Sequence, residues 1–162
     1  MSGGHPAAPT AIHRLVERCR AGAHPGAVAR LESGWVVMGE RQVLAGYCLL
    51  MPDPVVAHLN VLEGADRLRF LDDMARVGDA VLAATGAVRV NYALFGNLEP
   101  ALHAHVFPRL SSEPEATRTA QPWALDWAAA PPFEEAAHGA LRRRIGRLLA
   151  AHPRAEPPGE LG

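Results

Sequence analysis

The segment "ALHAHVFPR", residues 101–109, places the tightest constraint on the fold. Side chains alternate across an extended strand, so Leu102, Ala104 and Val106 share one face while Ala101, His103, His105 and Phe107 share the other. The first set is uniformly apolar and belongs against a core. Two imidazoles then project together from the opposite face, about 6.5 Å apart, the length of two strand rises. The segment before it, "AVRVNYALF" (87–95), is rich in β-branched residues, and "GNLEP" between them reads as a turn. The two segments should pair antiparallel.

Three more short runs, "AVARLES" (27–33), "GWVVMGE" (34–40) and "GYCLLMP" (46–52), read as strands of a meander separated by Gly and polar turns. "TAIHRLVERCRAG" (10–22) places Ile12, Leu15, Val16 and Cys19 on one helical stripe, with Thr10 as N-cap and Gly22 as stop. The longest helix spans 64–85, with Leu68, Leu71, Met74 or Ala75, Gly78 and Val81 or Leu82 as its apolar stripe and Gly86 closing it. After a polar, Pro-containing stretch (111–132), "PPFEEAAHGALRRRIGRLLAAH" makes a final helix started by Pro131 and Pro132. Leu141, Ile145 and Leu148 form its buried stripe, and Arg142, Arg143 and Arg144 a solvated face. The expected architecture is α+β: an antiparallel sheet of about five strands, one long helix packed on it, and short N-terminal and C-terminal helices. Residues 10–152 form one domain, whose motif region is 30–110. The Pro- and Gly-rich stretches 1–9 and 153–162 read as flexible tails.

Charge excludes one class of partner. Sixteen basic and 17 acidic side chains nearly cancel, leaving no broad basic field for polymeric nucleic acid. Every basic residue among the 16 is arginine, so a phosphate contact must come from Arg, His or backbone, and Schiff-base chemistry through lysine is excluded. Cys19 and Cys48, the two cysteines, read as buried free thiols. The N-terminal residues lack a signal-peptide pattern, and no apolar run reaches the roughly 20 residues a bilayer span needs. No membrane association and a cytoplasmic location are expected.

Three roles are open to the His-x-His strand. The pair can be two solvated or carbonyl-bonded histidines with no chemistry. It can be half of a metal site, which needs further ligands, with His58, Asp53 and Glu99 nearby in sequence. Or it can be a nucleophilic pair, with the "GNLEP" backbone, Asn97 and Arg109 available to stabilise developing charge.

"NYALFGNLEPALHAHVFPRL" resembles the histidine-triad (HIT) superfamily, in particular its bacterial diadenosine-tetraphosphate-hydrolase-like branch. That family carries an Asn before a Gly-Asn or Gly-Gln turn, then His-x-His-x-His, then an apolar residue followed by Pro-Arg. Upstream, "GWVVMGERQVLAGYCLLMPDPVVAHL" is similar to the family's strand–turn–strand, and the helix from 64 to 85 falls where the family has its long helix. The likeness covers roughly residues 30–110 and is specific over 91–110.

The resemblance implies a usually dimeric α+β protein that binds a nucleotide in a cleft. Its middle histidine attacks the α-phosphorus of a nucleoside polyphosphate or phosphoramidate, and water cleaves the nucleotidyl-histidine. The matching catalytic residues are His103 and His105. Asn97, Asn91, Arg109 and Glu40 are the expected substrate contacts, with no protein-bound metal and no tightly bound cofactor. Magnesium would accompany the substrate phosphates. Four positions depart from the pattern: the first histidine is Ala101, the ribose anchor falls on Gly39 beside Glu40, the histidine of a Pro-Gly-His turn is Tyr47, and the Lys/Arg-His after "LLxP" is Asp53-Pro54. A degenerate nucleotide- or phosphate-binding module without turnover, and a metal site on His103 and His105, are the alternatives. Trp123 and Trp127 are expected to stack on a base or to anchor a loop to the core.

Overall fold

A computed structural model describes residues 8–154. The elements run α1 (Ala11–Arg20), β1 (Ala27–Arg30), β2 (Gly34–Met38), β3 (Cys48–Pro52), α2 (Gly64–Thr85), β4 (Arg89–Ala93), β5 (Ala104–Arg109), the single turn α3 (Glu115–Arg118) and α4 (Glu135–Ala151). The five strands form one antiparallel sheet in the order β1-β2-β3-β5-β4, so the fold is α+β as the sequence leads one to expect. The long helix α2 is the crossover that carries the chain from β3 to the far edge at β4.

The sheet is covered on both faces, which explains why β2 and β3 read as continuous apolar runs rather than alternations. On one face Val36, Met38, Cys48, Leu50, Ala104 and Val106 meet Phe70, Val77 and Val81 of α2 and Ile145 and Leu149 of α4. Full burial of such side chains stabilises the fold by about 1.5–3 kcal/mol each. On the other face Val37, Leu49, Met51 and Phe107 meet Ile12, Val16 and Cys19 of α1, with Tyr47 and Ala101 in the same cluster. Both cysteines are free and buried, and burial pushes the thiol of Cys19 up to about 11 and that of Cys48 up to about 12. Helix α1 starts at Thr10, whose hydroxyl accepts from the His13 amide while His13 Nδ1 accepts from the Thr10 amide. His13 thus does the work of the Glu or Gln in a capping box.

Four expectations need correction. Of the expected stripe of α2, Gly78 and Val81 are buried and Met74 packs on the core, but Leu68 and Leu82 are exposed and the buried set also takes in Phe70, Asp73, Val77 and Ala80. Asp73 is fully buried because Ser33 donates to it from its amide (3.0 Å) and hydroxyl (2.7 Å), and Arg76 and Arg154 pair with it. Burial alone would raise its carboxyl; these partners outweigh that and hold it below the usual carboxylate range. Helix α4 begins at Glu135, not at Pro131. Residues 131–133 instead run beside Glu40–Gln42, with Gln42 N donating to Pro131 O and Phe133 N to Glu40 O. Strand β5 begins at Ala104, three residues later than the expected segment. Of the segment read as a tail from 153, Arg154 bonds Asp72, Asp73 and Glu32. Residues 155–162 and 1–7 lie outside the described residues.

Candidate functional site

His103 is the residue before β5 and His105 the second residue within it. Leu102 holds the approach, its amide donating to Val56 O at 2.8 Å. Within β5, His105 pairs with Leu49 on one side and with Ala93 on the other, so its side chain rises from the middle of the sheet on the α1 face. The two imidazoles lie on that face with ring centroids 4.7 Å apart and planes crossed at 70°.

Each Nδ1 is engaged. His103 Nδ1 lies 2.8 Å from the carbonyl oxygen of Ala101. A carbonyl only accepts, so His103 carries a proton on Nδ1, and its neutral form has the lone pair on Nε2. His105 Nδ1 lies 2.6 Å from the hydroxyl of Tyr47. Burial, and then the neighbouring His103, lower His105 to about 4, so it is neutral at physiological pH. Burial pushes the Tyr47 phenol well above its usual value, so it keeps its proton.

A cleft of about 610 Å³ opens over the pair, lined by Phe95, Asn97, Leu98, Glu99, His103, His105 and Trp123. The structure therefore brings His103, His105 and Asn97 together. Asn91 sits in an adjoining cavity of about 510 Å³, which shares Phe95 and Trp123 with the first. Glu40 is exposed beyond the end of β2 and lines neither cavity. Arg109 is a clear correction. Its guanidinium is buried, bonds both carboxylate oxygens of Glu113 and donates to the carbonyls of Thr117, Arg118 and Ala120. It staples the segment after β5 and lines neither cavity.

The departures at Gly39 and Tyr47 prove to be one feature. A Cβ on Gly39 would lie 2.2 Å from the Tyr47 ring, so the tyrosine occupies the space a side chain at 39 would need. Tyr47 stacks on Phe107 with centroids 4.5 Å apart. Its contact with His105 spans 58 residues of sequence, and nothing in the local sequence signals it.

Glu99 is a further cleft residue. Its Oε2 accepts from Ala11 N at 3.0 Å, tying the start of α1 to the loop before His103. Burial would raise its carboxyl, but the polar groups around it, from Thr10, Ala11 and Ala101, with the nearby His103, hold it low. Trp123 meets His105 edge-on at 4.8 Å between centroids and forms one wall of the cleft. Trp127 is the loop anchor: half-buried against Tyr47 and Phe107, it donates Nε1–H to Pro122 O. Asp53 is engaged by Arg20 and by Trp35 Nε1, and His58 is exposed. Among the described residues no group of three His, Cys, Asp or Glu is placed to hold a metal ion.

No family model matches the chain, and no curated protein matches it by sequence. Solved structures match it in fold. A histidine-triad protein from Sinorhizobium meliloti aligns with a TM-score of 0.66 at 22% identity, over 82% of this chain and 94% of that one. A histidine-triad protein from Bradyrhizobium japonicum aligns with a TM-score of 0.66 at 19% identity, over 76% and 89%. A hypothetical histidine-triad nucleotide-binding protein from Sulfolobus tokodaii aligns with a TM-score of 0.67 at 13% identity, over 85% and 92%. The antiparallel sheet, its long crossover helix and the strand that bears His105 are thus the histidine-triad fold.

Proposed function

We propose that this protein is a histidine-triad hydrolase or nucleotidyl transferase acting at the α-phosphate of a nucleoside polyphosphate or related nucleotide. The single observation that carries the reading is the bond between His103 Nδ1 and the Ala101 carbonyl, on the floor of the cleft. It leaves the Nε2 lone pair of His103 as a nucleophile that needs no deprotonation. In the reaction, Nε2 attacks the α-phosphorus, the bond from phosphorus to the leaving group breaks, and the leaving group departs with the bonding pair. Water then attacks the phosphorus and loses a proton to solvent, the phosphorus–nitrogen bond breaks with its pair returning to Nε2, and a nucleoside monophosphate leaves. His103 gains positive charge as the first bond forms, and the Glu99 carboxylate in the same cleft opposes that charge. Neutral His105 serves as a hydrogen-bond donor to the phosphoryl oxygens or the leaving group, and Asn97 as a second donor at the cleft wall.

Nucleotide as the ligand class is supported by the description of the Sulfolobus tokodaii neighbour as nucleotide-binding. The closer likeness to diadenosine-tetraphosphate hydrolases rests on the motif over 91–110. Magnesium enters only with the substrate phosphates. Ala101 in place of a histidine, together with the Tyr47 ring over Gly39, favours a second reading: a nucleotide-binding module without turnover. A metal site on His103 and His105 ranks third, since the cleft supplies only Glu99 as a further ionic ligand.

Purified protein offered dinucleoside polyphosphates, nucleotide phosphoramidates and nucleotide sugars, with and without chelator, separates these readings. Turnover of at least one class is expected. His103→Ala should lower it by about a thousandfold or more while keeping its fold. Equal binding by wild type and His103→Ala, with no turnover in either, would favour the binding module. About one transition metal per chain, lost in His105→Ala, would favour the metal site.

A further inference from the structure

We infer that Tyr47 is a positioning residue that fixes His105 as its Nε2–H tautomer, so that this imidazole presents a hydrogen-bond donor to the cleft. The effect on turnover rests on the phosphoryl-transfer reading above; the tautomer itself does not.

Three contacts immobilise the Tyr47 ring. It stacks on Phe107 with 7° between planes, meets the edge of Trp127 at 5.6 Å, and lies against Gly39, where even a methyl group would collide with it. It is also nearly parallel to His105, at 10°. The remaining freedom is rotation of the phenolic hydrogen. The hydroxyl oxygen and His105 Nδ1 are 2.6 Å apart, and one proton must lie between them.

Two assignments are possible. If Nδ1 carried the proton and the phenol accepted, the phenolic hydrogen would need an acceptor of its own. Among the described residues the Tyr47 hydroxyl has no hydrogen-bond partner besides His105, and the residue is buried. That arrangement would leave a buried donor unsatisfied. If the phenol donates, both groups are satisfied and the imidazole proton lies on Nε2. Burial supports the second assignment from both sides, since it keeps the phenol protonated and the imidazole uncharged. With Nδ1 occupied, Nε2–H is the ring position left to the cleft that His105 lines.

The arrangement makes the two histidines complementary. The Ala101 carbonyl holds the His103 proton on Nδ1 and frees a lone pair; Tyr47 holds the His105 proton on Nε2 and frees a donor. The tautomers are therefore set by a main-chain group in one case and by a side chain from the turn before β3 in the other. A tyrosine at 47 requires glycine at 39, which links the position that orients His105 to the open backbone at the end of β2.

Long-range proton–nitrogen correlation of imidazoles in nitrogen-15-labelled full-length protein reads both tautomers directly. At pH 7 the wild type should show His105 protonated on Nε2 alone. Tyr47→Phe keeps the ring packing and removes the hydroxyl, so His105 should become a mixture of tautomers while His103 stays unchanged. With a substrate that the wild type turns over, Tyr47→Phe should lower kcat about three- to tenfold, the size of one neutral hydrogen bond, with KM little altered. Wild-type His105 protonated on Nδ1 overturns the inference without any variant. So does an unchanged His105 spectrum in Tyr47→Phe, while a changed spectrum with an unchanged kcat overturns the effect on turnover. Should no substrate be turned over, the catalytic reading fails and the spectrum alone still decides the tautomer.

Discussion

Two imidazoles with centroids 4.7 Å apart on one face of a sheet cannot both be charged without mutual repulsion, and burial works against charge on His105. That tension gives a stability signature. His105 has a native value of about 4 against an ordinary 6.5, so between those values the unfolded chain binds a proton that the native protein refuses. Stability is therefore constant above about pH 6.5 and falls as pH drops from 6.5 toward 4. His24, lowered first by burial and then by Arg18, contributes with the same sign. The depressed carboxyls of Asp53, Asp73 and Glu99 add a further loss with the same sign at the acid end of this window and below it, where the unfolded chain's carboxylates protonate before the native ones. Urea denaturation at pH 7.5 and pH 5 should show the wild type losing stability, and His105→Gln losing about 1 kcal/mol less, after allowing for the solvent that reaches the ring. An equal loss in both proteins would place the acid sensitivity elsewhere.

At the scale of elements, regular helix signals were readable and long-range ones were not. The ends of α2 follow from its own residues, because Gly86 closes it in the left-handed region at φ 67°. Its buried stripe is only partly legible: Gly78 and Val81 follow from helical spacing, but Asp73 is an aspartate on the core face, made tenable by Ser33 and Arg154 from distant parts of the chain. The pairing of β4 with β5 follows from two strand-like runs joined by a turn, and the shared face of His103 and His105 from alternation. Tyr47 does not, since its role depends on the β3–β5 pairing that sets it beside Phe107. Arg109 looked free for phosphate, although Glu113, four residues on, was a partner the sequence offered. Strand β4 is an edge strand, with exposed Val88 before it and exposed Leu82 on the adjoining helix. Such an edge invites pairing, and we propose that a second copy of this chain covers it. Light scattering should then give about twice the 17.3 kDa chain mass, and Leu82→Glu with Val88→Glu should give the chain mass with an unchanged fold. A monomeric wild type at micromolar concentration would contradict the proposal.

For the molecule as a whole, the sheet divides the work. Helices α2 and α4 fill one face and supply most of the core. The other face carries α1, the aromatic cluster around Tyr47 and Phe107, and the cleft. Among the described residues no helix is long and apolar enough to cross a membrane. On the proposed function, this second face does covalent chemistry through His103. The most direct measurement is intact-mass analysis of the protein mixed with a slowly hydrolysed nucleotide phosphoramidate and quenched in neutral denaturant. The account predicts one added nucleoside monophosphate, labile to acid, mapped to His103, absent in His103→Ala and still formed in His105→Ala. A substrate that is turned over with no adduct on His103, or at an undiminished rate by His103→Ala, would contradict it.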